Sequence, residues 1–371
     1  MTDTAAQFEI FLVATPGLEA PLGEEARAAG FDARVVEGGV AFMGGWPEVW
    51  RANIELRGAT RVLARIGSFR AMHLAQLDKR SRKVAWGEFL TPGVPVSVEA
   101  TCRKSKIYHD GAAAQRVATA IREEFGATIA DDAAVRVLAR IEDDLVTLSI
   151  DTTGESLHKR GHKEAVARAP MRETMAAMFL RQCGYRGTEP VLDPMCGSGT
   201  FVIEAAEIAT GLKPGRTRSF AFEQLTTFDA AAWAALKAGT GSAATELRFF
   251  GSDRDAGAIR MAGENAARAG VTDLVRFEER PVEDLERPEG PPGLVIVNPP
   301  YGARIGHKGP LLLLHRRLGD ALKQRFSGWR VGIITADAEL AKATGLRFEK
   351  PGAPVLHGGI RVTLWQTAPL P

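Results

Sequence analysis

The feature that most restricts the fold of this chain is an apolar strand that runs directly into a glycine-rich turn and then into an amphipathic helix. The strand is Pro190-Val-Leu-Asp193, the turn is Gly197-Ser198-Gly199, and the helix begins near Thr200. The two glycines let the backbone come close to a ligand, and the first helical N–H groups can bind a carboxylate or a ribose. The sequence lacks a Walker lysine and a third spaced glycine, which disfavours a phosphate-binding loop. We therefore predict a nucleotide-binding turn in an α/β sheet.

The same strand-and-helix pattern recurs further along the chain. A second strand ends at Asp253, and a helix follows from Ala256 to Ala269. Asp253 is suited to binding two ribose hydroxyls, although its separation from the glycine turn greatly exceeds the roughly 20 residues of a dinucleotide-binding fold. Asp255 fits equally well as the cap of the following helix. Because strands and helices alternate beyond Glu189, we expect a doubly wound parallel sheet.

The most specific motif is Asn298-Pro299-Pro300-Tyr301, which directly follows the apolar strand from Gly293 to Val297. Two prolines fix the backbone at the carboxyl end of a strand, where ligands bind in open α/β sheets. The Asn298 side chain and the Pro299 carbonyl then offer two acceptors at one spot, with an aromatic ring beside them. A simple strand end would explain the prolines but not this combination in the same sheet as a glycine turn, so we predict a binding site here.

The first half of the chain has short strands and helices in α+β order. Alternation, helical spacing and turn residues predict strands or hairpins at Phe8–Ala14, Val35–Phe42, Val62–Phe69, Val94–Ala100 and Leu145–Asp151, and helices at Glu19–Ala29, Trp46–Leu56, Leu74–Trp86 and Gln115–Phe125. A polar and basic stretch from Ser156 to Pro170 separates this half from the predicted sheet, and a helix from Met171 to Gln182 follows it. We place the main domain boundary in that stretch.

A cluster of cations with one aromatic ring follows the predicted strand at Val94–Ala100. Its members are Arg103, Lys104, Lys106, Tyr108 and His109. Loops on a rigid scaffold often carry binding residues, and cations combined with aromatic rings are suited to RNA. A solvated loop explains the cluster equally well when it is considered alone, because short charged loops are common.

Global composition restricts the class of protein without identifying a partner. The chain has 371 residues and a formal net charge of +2, with a pI near 8.4, so any nucleic-acid contact must come from local clusters. The apolar run at Phe8–Ala14 is far shorter than the roughly 20 residues that cross a bilayer, and no basic leader accompanies it. Cys102, Cys183 and Cys196 are widely spaced. We expect a cytoplasmic protein without a metal site or a disulfide.

These motifs resemble those of a known family. Asp193-Pro-Met-Cys-Gly-Ser-Gly-Thr200 together with the Asn298 motif is similar to the class I methyltransferases that modify planar amines, and within them to the THUMP-domain RNA guanine-N2-methyltransferases. The likeness covers nearly the whole chain, which resembles the N-terminal methyltransferase half of bacterial 23S rRNA (guanine-N2)-methyltransferases. It is carried by Val13-Ala-Thr-Pro-Gly-Leu-Glu19, Val36-Glu-Gly-Gly-Val-Ala-Phe42, Arg103-Lys-Ser105, Gly154-Glu-Ser-Leu-His-Lys-Arg-Gly161, Ala169-Pro-Met-Arg-Glu-Thr174 and Arg218-Ser-Phe-Ala-Phe-Glu223.

The resemblance implies a domain organisation, a cofactor and a substrate. It implies a ferredoxin-like domain over residues 1–58, a THUMP RNA-binding domain over 59–155 and a Rossmann-like methyltransferase domain over 156–371. The implied cofactor is S-adenosylmethionine, and the implied product is N2-methylguanosine in 23S rRNA. The cluster near Arg103 is then expected to face RNA. The family pattern does not identify which of Pro281, Val282 and Glu283 lies beside the adenine.

The resemblance also implies roles for individual residues. The expected cofactor contacts are Glu173, Asp193, Pro194, Cys196, Gly197, Ser198, Gly199, Thr200, Asp253 and Asn298, with Glu173 and Asp193 near the ammonium or the loop and Asp253 at the ribose. Asn298 and the Pro299 carbonyl would accept the two N–H bonds of an exocyclic amine and favour a pyramidal nitrogen, while Pro300 fixes the loop and Tyr301 stacks on the base. The base must leave its stack to reach this pocket. Cys196 lies inside the cofactor loop and is unsuited to be a nucleophile.

Other classes of protein share some of these features. A DNA adenine-N6 or a protein-glutamine methyltransferase would have the same catalytic loop, but the first half of the chain disfavours both. A non-catalytic RNA-binding assembly factor is disfavoured because Asp193, Gly197, Gly199 and Asn298 are intact. Transfer RNA is the substrate that is hardest to separate from ribosomal RNA, since THUMP domains serve both. The sequence predicts neither the target nucleotide nor the oligomeric state.

Overall fold

The computed structural model describes residues 7–163, 171–239, 241, 243–300 and 308–371. Contacts along the chain divide it into two compact units. The first unit comprises Met1–Ala14, Gly23–Leu157 and Gly215–Gly239, and the second comprises Thr15–Leu22, His158–Pro214 and Thr240–Pro371. The segment Gly215–Gly239 therefore groups with the first unit, although it lies within the predicted domain 156–371. The predicted three-domain division stays a prediction.

The helices and strands of the described residues follow in chain order. They are β1 (Phe8–Val13), α1 (Glu19–Ala28), β2 (Arg34–Val36), β3 (Gly39–Gly44), α2 (Trp46–Glu55), β4 (Arg61–Arg70), α3 (Leu74–Ser81), β5 (Val96–Arg103), α4 (Asp110–Phe125), β6 (Val135–Glu142), β7 (Leu145–Asp151), α5 (Glu173–Gln182), β8 (Val191–Asp193), α6 (Thr200–Thr210), α7 (Ala230–Ala238), β9 (Phe249–Asp253), α8 (Ala256–Ala269), β10 (Val275–Glu279), β11 (Leu294–Val297), α9 (Lys308–Arg325), β12 (Arg330–Thr335), α10 (Ala338–Ala343), β13 (Val355–His357) and β14 (Ile360–Gln366).

The first unit is built on a seven-stranded sheet in the order β2-β3-β1-β4-β7-β6-β5. The predicted hairpin at Val35–Phe42 and the predicted helix at Trp46–Leu56 are confirmed as β2–β3 and α2. Two predicted helices have different bounds. The helix predicted over Leu74–Trp86 ends at Ser81 and a separate 3-10 turn begins at Trp86, whereas α4 begins before Gln115 because the His109 ring caps it by accepting the Ala112 N–H.

Strand β6 was not predicted from the sequence. Its residues alternate strictly between buried and half-buried positions, as expected for a strand with one face on a core. It pairs with β5 in parallel and with β7 antiparallel. Asp143 and Asp144 connect β6 to β7 with φ angles of 50° and 63°, which is the left-handed backbone of a tight two-residue hairpin turn.

An aromatic cluster lies between α2 and the segment Gly215–Gly239 of the first unit. The Trp50 ring centroid lies 6.2 Å from that of Phe222 and 6.1 Å from that of Phe228. Trp233 of α7 meets Phe222 edge to face at 5.0 Å. Such rings bury large apolar areas, so this segment contributes to the core of the first unit.

The second unit is built on a seven-stranded sheet in the order β10-β9-β8-β11-β12-β14-β13. The strands from β10 to β12 are parallel, and β14 and β13 are antiparallel to their neighbours. The predicted doubly wound sheet is thus confirmed, with two antiparallel strands at one edge. The order reverses between β8 and β11, which places a crevice for ligands at the carboxyl ends of these two strands.

The core of the second unit holds the two central strands in place. Leu192 of β8 and Val295 and Val297 of β11 pack in one buried cluster with Leu318 and Leu322 of α9. Burial of each such side chain stabilises the fold by about 1.5–3 kcal/mol. The strand ends that carry polar side chains therefore stand on a rigid base. Among the described residues, no helix combines the length and the apolar character that spanning a membrane requires.

Candidate active site

Two polar side chains follow the central strands of the second unit at the point where the strand order reverses. Asp193 is the last residue of β8, and Asn298 follows β11 directly. The strands are neighbours, with Leu294 opposite Val191. Since parallel strands end at the same edge of a sheet, both residues border one crevice.

Asp193 is a buried carboxyl group without a cationic partner among the described residues. Its side chain is 3% exposed, and one oxygen accepts the Met195 N–H at 3.1 Å. Burial raises the pKa of this carboxyl to about 8, and the nearby charge of Asp253 acts in the same direction. A cation bound here would favour the charged carboxylate and be held strongly by it.

The glycine-rich turn is held by backbone hydrogen bonds and close packing. The Gly197 N–H donates to Asp253 Oδ2 at 3.0 Å, and the Gly199 N–H donates to the Cys196 carbonyl at 2.8 Å. Gly199 has a φ of +83°, and a Cβ there would lie 3.1 Å from both Ala262 and Phe277 side-chain atoms. Only glycine fits such a position without displacement of its neighbours. Gly197 has a φ of +51° and faces open space.

The two aspartates after β9 have different roles. Asp255 caps α8 by accepting the Gly257 N–H at 2.8 Å, so the capping interpretation is confirmed for this residue. Asp253 accepts the N–H groups of Gly197 and Asp255 with separate oxygens. Its carboxylate is thereby fixed beside the glycine turn with lone pairs left over. A ribose contact by Asp253 stays a prediction.

The other residues of the turn are mostly buried. Pro194, Ser198 and Thr200 are buried, and the Ser198 carbonyl accepts the Asn265 side-chain amide at 3.0 Å. Cys196 is 6% exposed. Burial raises the pKa of its thiol well above the usual value, and the charges of Asp193 and Asp253 add to the effect. A thiol that stays protonated is a poor nucleophile, which agrees with the prediction that Cys196 does not attack the substrate.

Glu173, which was predicted to contact the cofactor, forms a buried ion pair. Lys163 Nζ lies 3.3 Å from its carboxylate. The same ammonium donates to the Met171 carbonyl at 2.7 Å and to Thr200 Oγ1 at 2.9 Å. Burial raises the pKa of Glu173 and lowers that of Lys163, because it disfavours both charges. Lys163 therefore ties the start of α5 to the first residue after the glycine turn, while a cofactor contact by Glu173 stays a prediction.

Polar side chains on one face of α6 contact the basic segment from Arg160 to Lys163. Glu204 lies 3.4 Å from Arg160, with both side chains 1% exposed, and Glu207 lies 3.9 Å from His162. With Thr200, these two glutamates fall on one face of an otherwise apolar helix. From the sequence, this segment was predicted to be a domain boundary, and part of it carries the family resemblance, but its contacts with α6 were not predicted. The spacing of Thr200, Glu204 and Glu207 was the signal that could have revealed it.

Asn298 has an acceptor that no described residue satisfies. The residue is half-buried, and its Oδ1 is fully buried without a hydrogen-bond partner among the described residues. Burying an amide oxygen without a donor costs about 1–3 kcal/mol. Pro299 is buried and Pro300 half-buried beside it. Tyr301 lies outside the described residues.

The predicted RNA-binding cluster lies in the first unit, between β5 and α4. Arg103 ends β5, and Arg103, Lys104 and Tyr108 are exposed, with Tyr108 84% exposed. The other two members also have structural contacts. The Lys106 N–H donates to Asp144 at 2.8 Å and its Nζ meets the Met72 sulfur at 3.6 Å, and His109 caps α4. All five residues thus belong to one loop, and contact with RNA stays a prediction.

Comparison with known proteins identifies relatives of both halves of the chain. A family described as the RMKL-like methyltransferase domain (UPF0020) matches residues 160–364, and the RlmL ferredoxin-like domain matches residues 9–63. The ribosomal RNA large subunit methyltransferase K/L of Syntrophotalea carbinolica is 37% identical, over 93% of this chain and 51% of that protein. This chain spans about half the length of that curated relative.

Solved structures match nearly the whole chain. The crystal structure of SMU.472 in complex with SAH has a TM-score of 0.89 and 28% identity, covering 98% of this chain and 99% of that chain. That of a predicted N6-adenine-specific DNA methylase from Listeria monocytogenes has a TM-score of 0.88 and 30% identity, covering 98% and 97%. The predicted Rossmann-like fold and the ferredoxin-like N-terminal domain are confirmed by these matches. The THUMP domain over 59–155 stays a prediction.

Proposed function

Because this chain belongs to the family of RMKL-like methyltransferase domains, we propose that it transfers the methyl group of S-adenosylmethionine to ribosomal RNA, at N2 of a guanine in 23S rRNA. The cofactor assignment is supported by SMU.472, which binds SAH, the product that such a transfer leaves. The substrate assignment is supported by the K/L relative, which is a large-subunit rRNA methyltransferase.

The observation that carries the proposed chemistry is the buried Oδ1 of Asn298, which has no hydrogen-bond partner in the part of the chain that the structure describes. The exocyclic amine of guanine has two N–H donors and a lone pair that is delocalised into the ring. An N–H donor from the substrate would satisfy Asn298, and the Pro299 carbonyl is the second acceptor of the motif. Two such bonds favour a pyramidal nitrogen, whose lone pair is then localised on the nitrogen and can be aligned with the methyl group, so catalysis is largely positioning.

The crevice fits a cofactor with a cationic end and a ribose. Asp193 is a buried carboxyl that lacks a described cation, which suits an ammonium group. Asp253 is fixed by two backbone N–H groups, which suits ribose hydroxyls, and Gly197 leaves open space beside them. When bound, S-adenosylmethionine supplies an electrophilic methyl group. The side chains of this chain orient it and exclude water.

We also propose that the loop from Arg103 to His109 contacts the RNA. Its support is the combination of three exposed cations, Arg103, Lys104 and Lys106, with the 84% exposed ring of Tyr108. Cations bind phosphates without regard to sequence, and an exposed ring can stack on an unpaired base. Lys106 and His109 would contribute less because their contacts also hold the loop.

Nucleoside mass spectrometry tests the substrate and the methylated atom together. Ribosomal RNA, transfer RNA and DNA would be analysed from cells in which the gene for this protein is deleted. The same cells complemented with the wild type, with Asn298→Ala or with the control Asp255→Asn would be analysed in parallel. We expect N2-methylguanosine to be lost from 23S rRNA, restored by wild type and Asp255→Asn, and not restored by Asn298→Ala. A deficit in transfer RNA alone would show that the substrate is transfer RNA and not 23S rRNA. A deficit of N6-methyladenine in DNA would instead indicate the activity that is predicted for the Listeria relative.

Purified protein gives a second measure of the role of Asn298. Removing one preorganised hydrogen-bonding group from a reacting centre, such as an oxyanion-hole donor, typically costs about 10²–10³-fold in kcat. We expect Asn298→Ala to show a loss of this size on 23S rRNA transcribed in vitro. A variant with the wild-type rate would rule out Asn298 as the acceptor.

A further inference from the structure

A tight hairpin lies at one edge of the second unit's sheet. Val355 pairs with Val362 and His357 pairs with Ile360. Gly358 and Gly359 connect the strands with φ angles of 56° and 83°. Two positive φ angles in a two-residue loop are typical of a type I′ turn, which matches the twist of its strands. The turn at the tip of the hairpin, Gly358–Gly359, therefore has a defined backbone conformation.

The hairpin extends beyond the carboxyl edge of the parallel strands, on the side where Asn298 lies. Strand β12 ends at Thr335, which pairs with Thr363 of β14, so Arg361 lies two residues, or about 7 Å, further out. Val297 pairs with Ile333, which puts Pro299 level with Thr335. Strands β11 and β14 are both neighbours of β12 and hence about 10 Å apart.

These spacings put the backbone of Arg361 about 12 Å from that of Pro299. Nucleotides of a stacked strand rise about 3.4 Å each. A strand whose base enters the site beside Asn298 and which runs towards this edge of the sheet would reach the tip within about four nucleotides of that base. The side chain of an arginine shortens this separation further.

The tip carries side chains suited to a nucleic-acid strand. Leu356 and Arg361 form a cross-strand pair and so lie on the same face. Leu356 is 47% exposed and Arg361 is exposed, and no described acid forms a salt bridge with Arg361. An arginine without an acidic neighbour can bind a phosphate, and an adjacent apolar side chain can contact a ribose or an unstacked base.

A second segment of the same unit holds the base of the hairpin. Gly17 has a φ of +94°, and a Cβ at this position would lie 2.5 Å from the Pro354 carbonyl oxygen. Backbone approach this close needs glycine. The chain around Gly17 thus packs directly against the residue that precedes β13, which limits the movement of the hairpin.

On the basis of the proposed function, we propose that the tip of this hairpin, formed by Leu356 and Arg361, binds the substrate RNA beside the target base. Arg361 binds a backbone phosphate within about four nucleotides of the target base, and Leu356, on the next strand outward, contacts the ribose or base of a neighbouring nucleotide. The tip thereby positions the strand that delivers the base, and neither residue touches the reacting atoms.

The test compares two tip variants with a matched control. Arg361→Gln and Leu356→Ser change the tip. Arg276→Gln removes another exposed arginine, which lies near the start of β10 at the far edge of the sheet. For each protein, the kcat and KM on 23S rRNA transcribed in vitro, the Kd for that RNA and the Kd for SAH would be measured, with the RNA binding repeated over a series of salt concentrations.

We expect Arg361→Gln to raise the KM and the Kd for RNA about five- to tenfold, as for one lost charged contact, and to reduce the salt slope of binding by about one. Leu356→Ser should raise the KM by a smaller factor without a change in salt slope. The Kd for SAH and all values for Arg276→Gln should stay within about twofold of the wild type. A general loss of folding would instead change the SAH affinity of the tip variants.

The measurements distinguish an error in the proposed role of the hairpin from an error in the proposed function. Tip variants that bind and methylate RNA like the wild type would overturn the role of the hairpin and leave the methyltransferase intact. A wild type that does not methylate rRNA would overturn the proposed function, but weaker RNA binding by Arg361→Gln would still support the tip. A wild type that neither binds nor methylates rRNA would overturn both.

Discussion

At the scale of single residues, the most unusual group is the carboxyl of Asp193. It lies 3% exposed at the end of a central strand, and burial raises its pKa to about 8. Burial of a carboxyl group lowers the stability of the free protein, and such destabilising groups are typical of ligand sites, where they contribute to binding. The same residue should therefore destabilise the free protein and strengthen cofactor binding.

We predict that Asp193→Asn stabilises the protein increasingly as the pH rises. The pKa of this group is about 3.9 when unfolded and about 8 when folded. The folded state thus holds the proton more tightly, so the stability from Asp193 is full below the unfolded pKa and is lost as the pH rises through the folded pKa. Asparagine, which is neutral throughout, avoids this loss of up to about 1.4 kcal/mol per pH unit.

Denaturant titrations near pH 5 and near pH 8 would measure the difference. The unfolding free energy of Asp193→Asn minus that of the wild type should be larger at the higher pH, and its affinity for SAH should be lower. Asp255→Asn serves as a control, because asparagine caps a helix as well as aspartate does. Equal differences at both pH values would show that Asp193 titrates normally.

The glycine turn supplies a second prediction at this scale. Gly199→Ala should destabilise the fold more than Gly197→Ala does, because both positions have positive φ but only Gly199 is crowded, by Ala262 and Phe277. Left-handed backbone costs an alanine about 1–2 kcal/mol, and overpacking adds about 1–3 kcal/mol at Gly199. Chemical denaturation of the two variants would check the order, and the reverse order would contradict the packing.

Residues at strand ends were predictable from the sequence, whereas their tertiary partners were not. Asp193, Asp253 and Asn298 each end or follow an apolar run, and the direction of parallel strands alone brings them to one edge. The pairing of Lys163 with Glu173 depends on how α5 packs beside α6, which no local pattern specifies. The burial of Asn298 Oδ1 without a partner among the described residues also depends on tertiary packing and was not predictable from the motif.

At the scale of elements, the segment before α5 and helix α6 form an interdependent pair. Lys163 meets Thr200 and Glu173, and Arg160 meets Glu204, all in buried surroundings. Removing one partner from a buried pair leaves an uncompensated charge, whereas replacing both is often tolerated. These contacts fix the first turn of α6 and hence the glycine turn that precedes it.

We predict that Lys163→Met lowers the unfolding free energy by about 3 kcal/mol and weakens SAH binding. The double variant Lys163→Met/Glu173→Gln should recover most of the stability, because no buried charge remains unpaired. Lys163→Arg should retain SAH binding better than Lys163→Met, since it keeps the donor to Thr200. Additive effects in the double-variant cycle would mean that the two residues are not coupled.

Strand β6 shows where prediction of the elements failed. Val135, Val137, Ala139 and Ile141 are buried, and three of the four residues that follow them are charged. The signal for a strand was therefore present, although the apolar Leu138 interrupts the alternation. The helices and the central strands were easier, because each has either a long amphipathic pattern or a continuous apolar run.

At the scale of the whole molecule, each unit is assembled from segments that are distant in sequence. Alternation of strands and helices predicted the sheet of the second unit, and resemblance predicted its family. Neither could predict that Gly215–Gly239 belongs to the first unit, because the packing of Phe222 and Phe228 on Trp50 is a long-range contact. The predicted boundary near residue 156 lies close to the change of unit at Leu157–His158, and the segment Gly215–Gly239 is the part of the predicted domain 156–371 that groups with the first unit.

We predict that a fragment of residues 156–371 is less stable than the full chain and exposes apolar surface. It would lack Trp50, the partner of Phe222 and Phe228, and the segment Thr15–Leu22. Binding of a hydrophobic dye and the midpoint of urea unfolding would check this. A fragment with the midpoint of the full chain and no dye binding would show that the predicted domain folds independently.

The division of the chain between units also determines the order in which the protein can fold during its synthesis. Domains usually fold one after another as they leave the ribosome. Here the first unit needs Gly215–Gly239, so its aromatic core is completed only after α5, β8 and α6 of the second unit have also been made. Thr15–Leu22, although it precedes most of the first unit in sequence, must wait for the rest of the second unit. The first unit is therefore completed only at Gly239, and the second only when its last strand, β14, has been made, so translation pauses before Gly239 would prolong the exposure of both unfinished cores.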